Sequence, residues 1–224
     1  MKKIALISVS DKTKIDLLAS QLVKNGYTII STGGTAKYLE DKGIDIIPIS
    51  KFTEFEEILD GRVKTLHPKI HAGILAKSEK DLKELNNSEY SLIDMVVVNL
   101  YPFEKTVSNK NCSFKDAIEN IDIGGPTLLR ASAKNHQRVT VLTHSSDYSK
   151  VLDEIETNGK VKLSTRRYLA AKVFALISKY DSMISSYLNK EPKNLDLLSQ
   201  DNFCLNAGEL SELKIWGKPS SESK

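Results

Sequence analysis

Residues 3–34 read KIALISVSDKTKIDLLASQLVKNGYTIISTGG, and this stretch decides the fold class. KIALISV (3–9) is a short, nearly unbroken apolar run, the pattern of a strand buried on both faces. Ser10 and Asp11 are residue types that cap the helix after it. Ile15, Leu18 and Leu22 share one face of that helix, which the pattern ends near Gly26. YTIIS (27–31) is a second strand with STGGT as its exit. TAKYLEDKG (35–43) predicts a short helix and DIIPIS (45–50) a third strand, which Pro48 keeps on or near an edge. Strands and helices in this alternation imply an α/β fold, a parallel sheet wrapped by helices.

Outward from there the pattern continues. A helical turn, a polar loop and a small apolar segment fill residues 52–76. DMVVVNLY (94–101) is the strongest strand, and RVTVLT (138–143) is another. CSFKDAIENI predicts a helix capped by Ser113, and GPTLLRASAKN a second with Pro126 near its first turn. SSDYSKVLDEIETNG is a third, ending at Gly159. Residues 163–190 read as one long helix. Leu169, Val173, Leu176, Tyr180 and Met183 keep close to helical spacing, and Ala170, Phe174 and Ile177 widen the face. Beyond Pro192 the pattern dissolves. The expected organisation is therefore one domain over 1–190 and a tail over 191–224.

The 224 residues suit one large domain with or without a tail, and 40% hydrophobic with 27% charged residues is ordinary for a globular core. A net charge of +3 is too small an excess to argue for nucleic acid. Cys112 and Cys204 form neither a disulfide framework nor a metal pattern. No apolar run approaches a membrane span, and Met1 leads directly into the first strand, so a cytoplasmic protein without a secretory leader is expected.

In an open parallel sheet, ligands sit beyond the carboxyl ends of the strands. Ser8, Ser10 and Lys12 fall at the first such end, and Ser31, Thr32, Gly33, Gly34 and Thr35 at the second. Glycine backbone, hydroxyls and a helix N-terminus together make a phosphate cradle, although the same residues also serve as ordinary caps. Arg62, Lys64 and Thr65 lie in a loop that reads equally as a solvated basic segment. Asn99 and Tyr101 end the strongest strand. Asp122, Gly124 and Gly125 open a helix that carries Arg130 and Lys134 on one face, either solvated or facing an anionic ligand. His67 and His71 have a helical zinc spacing, but Pro68 between them and the lack of a third ligand argue against metal. Walker, dinucleotide and serine-hydrolase motifs are absent from the sequence.

SVSDKT, STGGTA, DGRVKTLHPKIHAGIL, VVVNLYPF, ENIDIGGPTLLRASAKNH and SSDY occur in one order. This set resembles the inosine monophosphate (IMP) cyclohydrolase domain of the bifunctional purine-biosynthesis enzymes, from about residue 3 to about residue 188. The resemblance implies a methylglyoxal-synthase-like domain with a doubly wound parallel sheet. It also implies a reaction, the dehydrative ring closure of formyl-aminoimidazole-carboxamide ribotide (FAICAR) to IMP, with no metal, cofactor or covalent intermediate. Lys64, Tyr101, Asp122 and Lys134 are the implied catalytic residues. In that reading Lys64 stabilises the developing oxyanion, Tyr101 polarises the formyl group, and Asp122 takes a proton from the carboxamide. Lys134 tunes Asp122 and supplies a proton to the departing oxygen. Ser8, Ser10, Lys12, Ser31, Thr32, Gly33, Gly34, Thr35, Arg62 and Thr65 would hold the ribose phosphate and base. Asn99, Gly124 and Gly125 would lie along the base or carboxamide.

The family is homodimeric, with the transformylase domain part of its dimer. Nothing in this sequence has the length of that domain, so formyl transfer is expected of another protein or of a part not present in this chain. Lys14 stands where the family commonly has glycine, a position expected inside the first helix with little effect on the site. An effector-binding module of the same fold and methylglyoxal synthase itself are rival readings. The first has no need of Lys64, Tyr101, Asp122 and Lys134 together, and the second lacks its carboxylate-and-histidine base here.

Overall fold

The computed structural model describes residues 3–59, 61–83 and 90–189, so the tail expected at 191–224 lies outside the described residues. The chain runs β1 (Lys3–Val9), α1 (Ile15–Lys24), β2 (Tyr27–Ser31), α2 (Gly33–Asp41), β3 (Ile46–Pro48) and α3 (Ile49–Thr53). It continues through α4 (Pro68–Leu75), α5 (Glu79–Lys83), β4 (Met95–Asn99), α6 (Phe103–Ser108) and α7 (Phe114–Glu119). α8 (Gly124–Lys134), β5 (Thr140–Leu142), α9 (Tyr148–Asn158) and α10 (Leu163–Leu188) complete it.

The five strands form one all-parallel sheet in the order β3-β2-β1-β4-β5. Ala5, Leu6 and Ile7 of β1 are fully buried, and Met95–Val98 of β4 nearly so. Consecutive residues point to opposite faces, so unbroken burial requires helices on both. α1 packs on β2 and α9, while α8 and α10 pack on each other and against β4 and β5. Pro48 does sit on an edge strand, where its missing N–H costs no ladder bond. The third strand is shorter than expected because the chain turns from Pro48 directly into α3.

Strand order carries the functional consequence. From β1 the chain moves one way to β2 and β3, then returns to place β4 on the other side of β1. The loops leaving β1 and β4 therefore diverge, and a crevice opens between them at the carboxyl edge.

Two local expectations change. Asp11 spends its carboxylate on Thr13, accepting the backbone N–H at 2.9 Å and the hydroxyl at 2.6 Å, and Ser10 turns to Asn99. Neither caps α1, which starts at Ile15 without a side-chain cap. Lys14 is not inside the helix. It precedes it in the left-handed region, at φ 60° and ψ 16°, where a Cβ crowds the following carbonyl. Lys14→Gly is therefore expected to stabilise the fold by about 1 kcal/mol, after discounting the greater freedom of glycine in the unfolded chain. Urea unfolding measures this directly, and an unchanged or lower midpoint would contradict it.

The long helix appears as expected. Leu169, Ala170, Val173, Ile177 and Tyr180 are buried. Phe174 instead lies at the surface beneath the Arg130 guanidinium, 5.7 Å from its ring centroid, so Arg130 is spent on packing. Among the described residues no helix is long and apolar enough to cross a membrane.

Candidate active site

The crevice holds a cavity of about 660 Å³. Its floor is the ends of β1 and β4, and its walls are the start of α2, the Gly61–Thr65 loop, and the segment from the end of α7 into α8.

At one end hydroxyls, a helix N-terminus and cations meet. Ser8 and Thr32 share a hydrogen bond between hydroxyls at 2.6 Å. The buried Thr35 hydroxyl donates to the Val9 carbonyl at 2.9 Å and accepts the Val9 N–H at 3.1 Å, tying α2 to the end of β1. With Thr32 engaged by Ser8, α2 starts without a side-chain cap, and its first residues, Gly33 and Gly34, line the cavity. The positive end of the α2 dipole therefore faces open space. Lys12 lines the same end. The Lys64 ammonium lies beside Gly33, where an added Cβ would stand 3.8 Å from it. Its carboxylate neighbour, Glu57, is 4.0 Å away and exposed. An ammonium beside an uncapped helix N-terminus is electrostatically costly unless an anion joins them.

At the other end is an acid. Asp122 accepts the Gly125 N–H at 2.8 Å, and its own N–H donates to the Tyr180 hydroxyl at 2.9 Å. Burial pushes its carboxyl above the usual carboxylate value, opposed by hydrogen bonds from the Gly125 and Tyr101 backbones and by the Lys64 charge. Burial, with the nearby Asp122 charge, also pushes the Tyr101 phenol up, so it stays protonated and able to donate.

The glycines are there for clearance. A Cβ on Gly124 would stand 2.7 Å from the Thr65 hydroxyl; one on Gly125 would overlap the Asp122 carboxylate and come within 2.9 Å of Leu100. Gly125→Ala must therefore displace the acid. We expect a loss of about 1–3 kcal/mol in stability, read as a lower urea midpoint. An unchanged midpoint would mean that the carboxylate moves aside at no cost.

Ser8, Ser10, Lys12, Thr32, Gly33, Gly34, Thr35, Arg62, Lys64, Thr65, Asn99, Tyr101, Asp122, Gly124 and Gly125 all line the cavity. Ser31 does not: it is fully buried and donates to the Ile7 carbonyl at 2.8 Å, a sheet contact. Lys134 does not either. It is exposed at the far end of α8, about 15 Å from Gly124 at the helical rise. The Asn99 amide is spent within the protein. Its oxygen accepts the Ser10 N–H at 2.7 Å, the Ser10 hydroxyl at 2.8 Å and the Asp11 N–H at 3.1 Å, and its nitrogen donates to the Asp11 carbonyl at 2.9 Å. Asn99 thus shapes the β1 exit loop. Arg62 forms a two-pronged ion pair with Glu119 of α7, through Nε at 2.9 Å and through Nη2. Glu119, Glu57 and Tyr180 were missed in the sequence. The partners of Glu119 and Tyr180 are distant along the chain, Glu57 lies seven residues from Lys64 in an irregular segment, and none of the three carries a signal of its own. His67 caps α4, its Nδ1 accepting the Lys69 N–H at 3.1 Å.

Residues 14–127, more than half of the chain, match the family described as MGS-like domain. The chain belongs to the MGS-like family. Residues 132–214 of this MGS-like chain match a second description, the AICARFT/IMPCHase bienzyme. It is 58% identical over 189 residues to the bifunctional purine biosynthesis protein PurH of Caldicellulosiruptor saccharolyticus, covering 84% of this chain and 37% of that protein. It is 48% identical over 214 residues to the PurH of Bacillus subtilis, covering 92% and 42%. The chain thus spans about two fifths of the length of these relatives. A solved structure, that of ForH, superimposes with a TM-score of 0.72 at 33% identity, covering 83% of this chain and 98% of that one.

Proposed function

We propose that this MGS-like chain is an IMP cyclohydrolase that closes FAICAR to IMP in purine biosynthesis. The observation that carries the reading is one cavity lined by the uncapped start of α2, by the Lys64 ammonium beside Gly33, and by the partly buried Asp122 carboxylate on which that ammonium's charge acts. A ribose phosphate suits the first of these and a reacting carboxamide the last. The PurH relatives, and the match to the AICARFT/IMPCHase description, support the same reaction.

Ring closure joins the carboxamide nitrogen to the formyl carbon while the formyl oxygen gathers negative charge. Holding both groups in one cavity removes the entropy of alignment. The Lys64 ammonium stabilises the oxyanion, and the Tyr101 phenol donates to the same oxygen. Asp122 takes the proton that the attacking nitrogen must lose. A carboxyl held above its usual value can pass that proton to the formyl oxygen, giving a hydroxyl; the second proton of the departing water comes from the formamido nitrogen, which forms the new C=N bond as the hydroxyl leaves, so two N–H bonds broken and two O–H bonds formed balance the loss of water. We give the chemistry to Lys64, Tyr101 and Asp122, a division supported by their lining one cavity; Lys134 is not among the lining residues and is given no step.

A homodimer, a cytoplasmic location and a transformylase carried outside this chain complete the proposal. They rest on the resemblance and on relatives named as bifunctional proteins. The direct test adds FAICAR to purified protein without cofactor and follows purine absorbance. Growth of that absorbance is expected; its absence with folded protein that binds IMP would favour an effector module instead.

A further inference from the structure

Tyr180 lies on α10, 58 residues from Asp122 in sequence, yet the two are joined at 2.9 Å. Its side chain belongs to a second apolar cluster, apart from the main core, with Phe103 of α6 and Ala117 of α7. The ring meets Phe103 edge-on at 6.2 Å, and Tyr187, one helical repeat further along α10, meets Phe103 at 5.7 Å and stacks on Phe114. Only 3% of Tyr180 is exposed. This packing fixes the ring and, with it, the direction of the hydroxyl. Burial pushes the phenol up, so it remains neutral.

Asp122 is thus gripped from three elements. α8 supplies the Gly125 N–H to the carboxylate, the β4 exit supplies the Tyr101 N–H, and α10 holds the backbone through Tyr180. The first two set how well the carboxylate is solvated by protein. The third sets the plane of the peptide from which the side chain departs.

We propose that Tyr180 is a positioning residue for proton transfer: its hydroxyl anchors the Asp122 peptide so that the carboxylate faces the reacting nitrogen. This rests on the reading of Asp122 as the proton acceptor. The contacts of Tyr180 are with Asp122, Phe103 and Ala117, whereas the phosphate cradle is built at the β1 and β2 exits, so ligand binding and turnover should separate.

The variant is Tyr180→Phe, which keeps the ring and removes the oxygen. Expected results are a kcat about tenfold lower, with KM and the Kd for IMP within about twofold, because alignment is lost but the phosphate contacts remain. The acid limb of kcat should also move to lower pH, as a loosened carboxylate gains water and loses the burial that raises it. Lys64, Tyr101 and Tyr180 are the titratable groups whose charges or hydrogen bonds bear on Asp122, and Asp181 bears on Tyr180 itself. Phe103→Leu serves as the packing control. It loosens the seat of the ring with the hydroxyl retained, and is expected to move the acid limb in the same direction but less than Tyr180→Phe does.

Three results would overturn the proposal: wild-type kcat in folded Tyr180→Phe, kcat and KM impaired together with no movement of the limb, or failure of that variant to fold, which would make the hydroxyl structural. Asp122→Asn, run in parallel, separates the premises. If it turns over normally, the acid itself is misassigned; if it is inactive while Tyr180→Phe behaves as wild type, only the role of Tyr180 falls.

Discussion

Lys64→Ala is expected to lower kcat about a hundredfold or more, with KM changed only a few-fold. Under the proposed ring closure, the effect of the ammonium depends on timing. In the bound substrate the formyl oxygen is a neutral carbonyl, and an ammonium gains little from it. As the carbon–nitrogen bond forms, that oxygen becomes an anion inside a cavity from which much water is excluded, and the same ammonium then gains far more. Lys64 is the lysine on the Gly61–Thr65 wall, and its side chain is 27% exposed, so water screens it only in part. Ribose-phosphate binding would survive its loss, since Ser8, Ser10, Lys12 and the α2 N-terminus remain. A loss confined to KM would mean that Lys64 binds the phosphate and that the oxyanion is stabilised elsewhere.

Asp122→Asn is expected to reduce kcat about a hundred- to ten-thousandfold, the usual range for removing a positioned general base. The wild-type enzyme should lose activity as the pH falls through the Asp122 value, which burial places above the ordinary 3.8. The variant should lack that limb. The stability effect has the opposite sign. A carboxyl whose folded value is raised favours the fold most below its unfolded value, and that contribution is lost as pH rises through the folded value. At neutral pH the ionised Asp122 is thus a burden on the fold, and asparagine removes it. The thermal midpoint of Asp122→Asn at pH 7 should be unchanged or higher. Activity loss with a lowered midpoint would mark Asp122 as a structural acid.

The sheet was legible because its evidence is local. The apolar runs at 3–9, 27–31 and 94–101 are bounded by turn residues, and a parallel sheet buried on both faces leaves that pattern directly. The cavity wall at the β1 and β2 exits was legible because open parallel sheets leave their crevice at the carboxyl ends of the strands. Ser31 falls one residue short of it: it is the last residue of β2 and bonds to the sheet, whereas Thr32 is the first to leave it. Lys134 shares a helix with the site, but a continuous α8 carries it away along the axis, a distance that facing alone does not reveal. Lys14 was placed inside a helix because φ has no sequence signal at a lysine. Glu119 and Tyr180 became visible only with coordinates, since each bond crosses more than fifty residues.

The crevice also dictates when the protein can work during its own formation. β1 is the middle strand, and one of its edges is completed only by β4, with Ile4 and Asp94 bonded across 90 residues. A nascent chain that has emerged only through β3 holds half a floor, β1 with one edge still bare, and the start of α2 with nothing opposite. Parallel pairings at such range close slowly, because loop entropy is lost before any contact offsets it. The complete cavity therefore arrives late and all at once, and until then the open edge of β1 is where newly made chains would stick to one another.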